Sequence, residues 1–216
     1  MFRDRLQAAE ELARALSAHA GEDGVVLAIP RGGVVVGAVL ARELGMPLDV
    51  LLTKKIGHPR DPEFAIGSVD LDGACLDEDV AARESVSRDW AEREAARIRA
   101  GLRARYRAYR GLRQPARLDG KLAIVADDGI ATGNTIAAAL RIARREGARR
   151  VVAAAPVGSA AALARLSALA DEIVCLERPE DFRAIGAFYR NFDPVEDDEV
   201  RRLLERGAQP SERLRS

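Results

Sequence analysis

The chain has 216 residues, with 34 Lys and Arg against 34 Asp and Glu, a formal net charge of zero and two cysteines. This length suits one α/β domain with elaborations, or at most two small domains, and 48% apolar with 31% charged residues is a globular balance that excludes disordered, collagen-like and fibrous classes. Zero net charge argues against a generic polyanion binder, yet the charge is segregated: residues 83–117 carry eleven arginines and a net +7, while DPVEDDE at 193–199 carries −5.

No stretch approaches the roughly 20 uninterrupted apolar residues that span a bilayer. The start, MFRDRLQAAEELARAL, carries charges where a signal peptide needs an apolar core, so a cytoplasmic protein is expected. Cys75 and Cys175 are far apart and lack C-x-x-C or Cys/His spacing, which points to buried free thiols rather than a disulfide or a zinc site.

Apolar runs alternate with helical segments along the chain, the pattern of a mostly parallel sheet flanked by helices. Residues 3–19 form an amphipathic pattern, VVLAI at 25–29 reads as a buried strand ending in PRGG, and a helix through VVVGAVLAREL stops at Gly45. PLDVLLTKK reads as a second strand. IGHPRDPE at 56–63 is rich in Pro, Gly and charge and reads as a mobile loop. FAIGSVD and ACLD, separated by LDG, predict a β-hairpin. Residues 78–112 predict a long helical arm with Gly101 as a weak point. KLAIVADD is the best strand in the chain. It is followed by the loop GIATG, a helix from Asn134 to Glu146, the strand RVVAAAPV, a helix from Ser159, the strand EIVCLE and an acidic-started helix near 196–206. No repeat, linker or domain boundary is legible. The expected organisation is a single domain over 1–216, with an inserted Arg-rich arm at 78–117 and a C-terminal hood or tail at 178–216.

The run KLAIVADDGIATGNT, residues 121–135, carries the chemistry. Its strand delivers Asp127 and Asp128 to a carboxyl end, where parallel sheets bind ligands. The loop of Gly129, Ile130, Ala131, Thr132 and Gly133 then opens a helix at Asn134 and Thr135. Its small residues let backbone N–H groups converge, the two threonines add hydroxyls, and the helix start favours an anion. The run is neither a P-loop, since no Gly-Lys-Ser/Thr follows, nor a G-x-G-x-x-G fingerprint. Two carboxylates before a phosphate cradle suit a sugar phosphate, the carboxylates accepting from a vicinal diol. The bland alternative is an Asp-Gly turn capping an ordinary helix.

In VADDGIATGNT the chain resembles the type I phosphoribosyltransferases, whose signature is an apolar strand, two acidic residues, a Thr-Gly loop and a closing Thr. Ala131 and Asn134 stand where many members carry Thr and Gly. The resemblance runs from about residue 20 to 195, and the chain looks like the group of predicted members whose physiological substrate is not established. It implies that Asp127 and Asp128 bind the ribose hydroxyls of phosphoribosyl pyrophosphate (PRPP) and that Gly129 to Thr135 bind its 5'-phosphate. It also implies a pyrophosphate loop at PRGG, residues 30–33, formed by Arg31, Gly32 and Gly33, with a non-proline cis peptide expected at Arg31-Gly32. Alone, PRGG could be a plain strand-to-helix turn. Mg²⁺ is expected with PRPP, held mainly by PRPP oxygens and water.

Three further features bear on this reading. Only three residues are lysines, and two of them are the adjacent Lys54 and Lys55, point charges suited to pyrophosphate. His58 and Arg60 lie in the segment expected to close over the reacting centre, although a lone loop histidine is commonly just exposed. Four of nine aromatic residues, Phe182, Phe188, Tyr189 and Phe192, fall within eleven residues, and either anchor the tail or stack on a planar acceptor. The expected enzyme is a PRPP-dependent pentosyltransferase acting on a nucleobase or related heterocycle, with Asp127, Asp128, Arg31 and Lys55 as its catalytic groups. The alternative is a non-catalytic PRPP sensor or nucleic-acid-binding regulator using the arginine arm, whose helix could otherwise be solvated, with intrahelical pairs Glu84–Arg88 and Asp89–Arg93, or pair across a homodimer.

Overall fold

The computed structural model describes residues 1–111 and 114–207, so parts of the expected arm (112–113) and tail (208–216) lie outside the described residues. In chain order the elements are α1 (Arg5–Ala15), β1 (Gly24–Ala28), α2 (Gly32–Leu44), β2 (Leu48–Val50), β3 (Lys54–His58), β4 (Asp61–Val69), β5 (Ala74–Leu76), α3 (Glu78–Arg83), α4 (Arg88–Arg110), β6 (Leu122–Ala126), α5 (Asn134–Arg145), β7 (Arg150–Val157), α6 (Ala160–Leu166), β8 (Glu172–Glu177) and α7 (Asp197–Gly207). They divide into two compact units, one made of Met1–Leu51 and the chain that follows the arm, the other of Leu52–Gly111.

The first unit is a five-stranded parallel sheet in the order β2-β1-β6-β7-β8. GVVLA and LAIVA are unbroken apolar runs because β1 and β6 are central strands buried on both faces. On one face Val25, Leu27, Ala123, Val125, Val151 and Ala153 share a core with α5 and α6. Helices α1 and α2 pack against each other and cover the other face. Asp4 caps α1 by accepting from Gln7 N (2.8 Å), and Ser159 caps α6 by accepting from Ala162 N (3.2 Å).

The second unit is an antiparallel meander, β3-β4-β5, on which α4 lays the stripe Ala91, Ala95, Ile98 and Leu102. The 23-residue α4 runs through Gly101 unbroken. Glycine costs a helix interior about 1 kcal/mol, and the buried stripe on either side offsets that. The break falls instead at Ser85, with φ of 56°, between α3 and α4.

Three sequence expectations are corrected. PLDVLLTKK is two strands in two sheets, β2 and β3; no Gly or Pro punctuates Leu52–Lys54, so the crossing leaves no local signal. IGHPRDPE is mostly strand: β3 and β4 turn about Pro59 and Arg60 with register shifts on either side of Gly57, and this irregularity is what the mixed composition encodes. Pro62 is tolerated in β4 because β5 pairs only with Gly67–Val69, leaving a single neighbour at that point. Both thiols are free, but Cys75 is exposed on the short strand β5. Cys175 is half-buried, and burial pushes its thiol up to about 11.

Candidate functional site

The chain turns one way from β1 to β2 and the other way to β6, which opens a crevice between the carboxyl ends of β1 and β6. Ala28 is registered against Ala126, and Ile29 N donates to Ala126 O (2.9 Å), so the PRGG loop and the Asp127-Asp128 loop leave the sheet side by side. The non-proline cis peptide lies at Pro30-Arg31, one bond earlier than expected. A Cβ on Gly32 would overlap the Asp128 carboxylate, and one on Gly33 would come within 2.9 Å of Ala126 O and Asp127 Cα. Both glycines are therefore required by the approach of one loop to the other. Arg31 is exposed, 3.8 Å from Glu196 and 4.0 Å from Asp197, so the −5 segment identified in the sequence faces the loop arginine.

Asp127 is half-buried and its N–H donates to Ala154 O (3.1 Å). Asp128 is buried, and its N–H donates to Asp127 Oδ1 (2.9 Å). Burial, and then the adjacent Asp128 charge, hold the Asp127 carboxyl well above the usual carboxylate range. Three groups that sequence reasoning did not assign to the site lie against Asp128 and Gly129. Arg5 Nε donates to Asp128 Oδ2 (2.7 Å), Tyr189 OH donates to Asp128 O (2.7 Å), and Ile185 occupies the space where a Gly129 side chain would be. Arg5 is 123 residues from Asp128 in sequence, and its only local signature is a position in the first turn of a helix.

The loop after Asp128 is anchored from beneath. Ile130 is buried, its N–H donates to Val157 O (2.8 Å) and its carbonyl accepts from Ser159 N (2.9 Å). Its amide is thus committed to the sheet, and Ile130 anchors the loop. Ser159 Oγ donates to Ala131 O (2.6 Å), and Arg165 donates to Thr132 O. Gly133, at φ 75°, turns the chain into α5. Ala131, Thr132, Asn134 and Thr135 are exposed around a helix start whose first-turn N–H groups have no intrahelical acceptors.

The aromatic cluster packs the tail onto the chain start. Phe2 N donates to Phe188 O (2.8 Å), Arg190 N donates to Phe2 O (2.9 Å), and Tyr189 contacts the rings of Phe2 and Phe192 at centroid separations of 5.5 and 5.0 Å. Phe182 stacks on Phe188 at 5.6 Å.

The remaining expected site residues belong to the second unit. Lys54 and Lys55 are exposed on β3, as is Arg60 at the hairpin turn. His58 is buried, contrary to the exposed position expected of a loop histidine. It meets Phe64 edge-on at 6.3 Å, and its Nδ1 accepts from Arg60 N (3.2 Å). In the arm, Tyr109 is buried and accepts from Arg105 Nε (2.8 Å), Arg110 bonds Tyr106, and Arg103 Nε donates to Leu71 O (3.0 Å). The tyrosines are thereby engaged within the unit. Glu84 pairs with Arg83, and Arg88 pairs with Glu92, in place of the Glu84–Arg88 pair expected from spacing, because Ser85 separates the two helices. A groove of about 210 Å³ in this unit, lined by Leu76, Arg88, Glu92 and Arg99 among others, contains none of the motif residues.

Among the described residues, no helix is long and apolar enough to cross a membrane, and no three His, Cys, Asp or Glu side chains are grouped to hold a metal ion. Two adjacent oxygen donors, Asp127 and Asp128, fit the habit of Mg²⁺, which binds through one or two carboxylates plus substrate oxygens and water.

Comparison with known proteins places this geometry. Residues 2–193 match the model of the phosphoribosyl transferase domain. Proteins from two strains of Mycobacterium tuberculosis, provisionally named phosphoribosyl transferases, are 41% identical over 210 residues, which is 95% of this chain. The chain spans about half the length of these curated relatives (47%). The solved structure of the protein TT1426 from Thermus thermophilus is 45% identical and superposes with a TM-score of 0.85, covering 96% of this chain and 99% of that one. A model match over nearly the whole length, together with the paired acidic loop and the glycine loop at adjacent strand ends, makes this chain a member of the phosphoribosyl transferase domain family.

Proposed function

We propose that the chain transfers a 5-phosphoribosyl group from PRPP to a ring nitrogen of a small heterocycle, such as a nucleobase, and releases pyrophosphate. The observation that carries this reading is that the PRGG loop comes so close to Asp128 that a Cβ on Gly32 would overlap its carboxylate. It brings a diol-binding acid and an anion-binding loop together at the switch point of the sheet.

In this scheme the exposed start of α5, from Ala131 to Thr135, anchors the 5'-phosphate through N–H groups and hydroxyls. Asp127 and Asp128 accept hydrogen bonds from the ribose diol and offset the positive charge that grows on the sugar. Arg31 and the N–H groups of Gly32 and Gly33 receive the pyrophosphate as the C1'–O bond breaks and the C1'–N bond forms with inversion. The proton of the attacking nitrogen leaves to solvent or to the departing pyrophosphate. Mg²⁺, when bound with PRPP beside Asp127 and Asp128, supplies neutralisation of the pyrophosphate charge. Catalysis is then positioning and electrostatics, with no covalent intermediate.

Calorimetry with Mg²⁺-PRPP tests the assignment. The double substitution Asp127→Asn with Asp128→Asn is expected to weaken binding by more than about a hundredfold while the chain stays folded, because both diol acceptors lose their charge. Unchanged affinity overturns it. A pyrophosphate-release screen of Mg²⁺-PRPP against nucleobases and other nitrogen heterocycles then identifies the acceptor, and release with no acceptor dependence counts against transfer.

A further inference from the structure

Two adjacent carboxylates are a poor place to seat a polyanion unless something offsets them. Arg5, the first residue of α1, is held on three sides: Nε donates to Asp128 Oδ2 (2.7 Å), Nη1 donates to Asp193 O (2.8 Å), and the guanidinium lies 3.7 Å from the Phe192 ring centroid. Its side chain is 11% exposed and that of Asp128 12%. A Cβ on Gly32 would come within 3.0 Å of Arg5 Nε, so the guanidinium also borders the PRGG loop. A surface arginine swings freely and contributes little; one stacked and doubly hydrogen-bonded keeps its charge at a fixed point.

We infer that Arg5 is a positioning residue for PRPP: it aims the Asp128 carboxylate and offsets its negative charge, so that a phosphoribosyl donor can be seated between the two loops. The inference rests on the phosphoribosyl reading above. It also gives a purpose to the aromatic tail, since Phe192 and the Asp193 carbonyl fix the guanidinium while Tyr189 fixes the backbone of Asp128.

The test is Mg²⁺-PRPP affinity by calorimetry, together with thermal melting, in R5K, R5Q and R5M. R5K keeps the charge but loses the fixed fork and the stacking, and is expected to bind between wild type and the neutral R5Q and R5M, which are expected to bind more than about tenfold more weakly, read on whichever of the two melts as wild type does. Neutral variants that bind as wild type does overturn the inference while leaving the phosphoribosyl reading intact. Equal losses in all three variants, tracking a fall in melting temperature, assign Arg5 to packing and also overturn it. A wild-type chain that binds no Mg²⁺-PRPP removes both readings.

Discussion

The two ends of the parallel sheet are built on opposite electrostatic principles. At the amino ends of the strands, opposite charges meet. Arg150 reaches Glu172 at 2.6 Å, Lys121 reaches Asp23 at 3.0 Å, and Arg144 reaches Asp171 at 2.5 Å, while buried His19 hydrogen-bonds Glu22 at 2.8 Å. At the carboxyl ends, like charges are adjacent in Asp127 and Asp128, glycines stand where side chains would collide, and the Arg5 guanidinium from a distant helix lies against Asp128. The first arrangement is what a chain does when only stability matters. The second costs stability and makes sense where a ligand completes it.

That contrast can be broken experimentally, and the largest effect is expected at Gly32. Gly32→Ala puts a methyl into the Asp128 carboxylate, so Mg²⁺-PRPP affinity should fall by more than about a hundredfold, while stability drops by the roughly 1–3 kcal/mol usual for overpacking. Binding at wild-type strength would mean that the two loops do not share a ligand.

Asp127→Asn should separate binding from stability. Because the folded carboxyl titrates above its unfolded value, the native chain holds a proton that the unfolded chain has released as pH rises past about 4. Stability therefore declines as pH climbs through the window between the two values, and the loss persists above the folded one. Asparagine removes that slope, so the variant should melt higher than wild type at pH 7 and lose its advantage toward about pH 4. A lower melting temperature at pH 7 would contradict the assigned cause.

His19→Ala should act at the amino end alone. It removes a buried ring that hydrogen-bonds Glu22 and is expected to cost about 1–3 kcal/mol by denaturant unfolding, with Mg²⁺-PRPP affinity unchanged. A parallel loss of affinity would show that the two ends are coupled. The smallest effect is expected in the arm: replacing Arg103, Arg105 and Arg107 with Ala should leave Mg²⁺-PRPP binding as it is. Steep, salt-dependent RNA or DNA binding by the wild type, abolished in the triple variant, would instead favour a regulator.

Much of this was legible in the sequence. The central strands at VVLAI and KLAIVADD, the helix start at Ser159 and the acidic loop are local signals, set by side-chain burial and hydrogen-bonding groups within a few residues. So was the motif VADDGIATGNT, because its acids, small residues and hydroxyls are contiguous. Tertiary structure decided what local chemistry cannot encode. It split PLDVLLTKK between two sheets, drew IGHPRDPE into a bulged hairpin, buried His58 and committed the Ile130 amide to the sheet. Above all it brought Arg5 across 123 residues of sequence to Asp128 and laid Phe192 beneath it. A composition of 34 charges of each sign carries no information about which ones meet, since that depends on packing two helices and a tail onto one sheet edge.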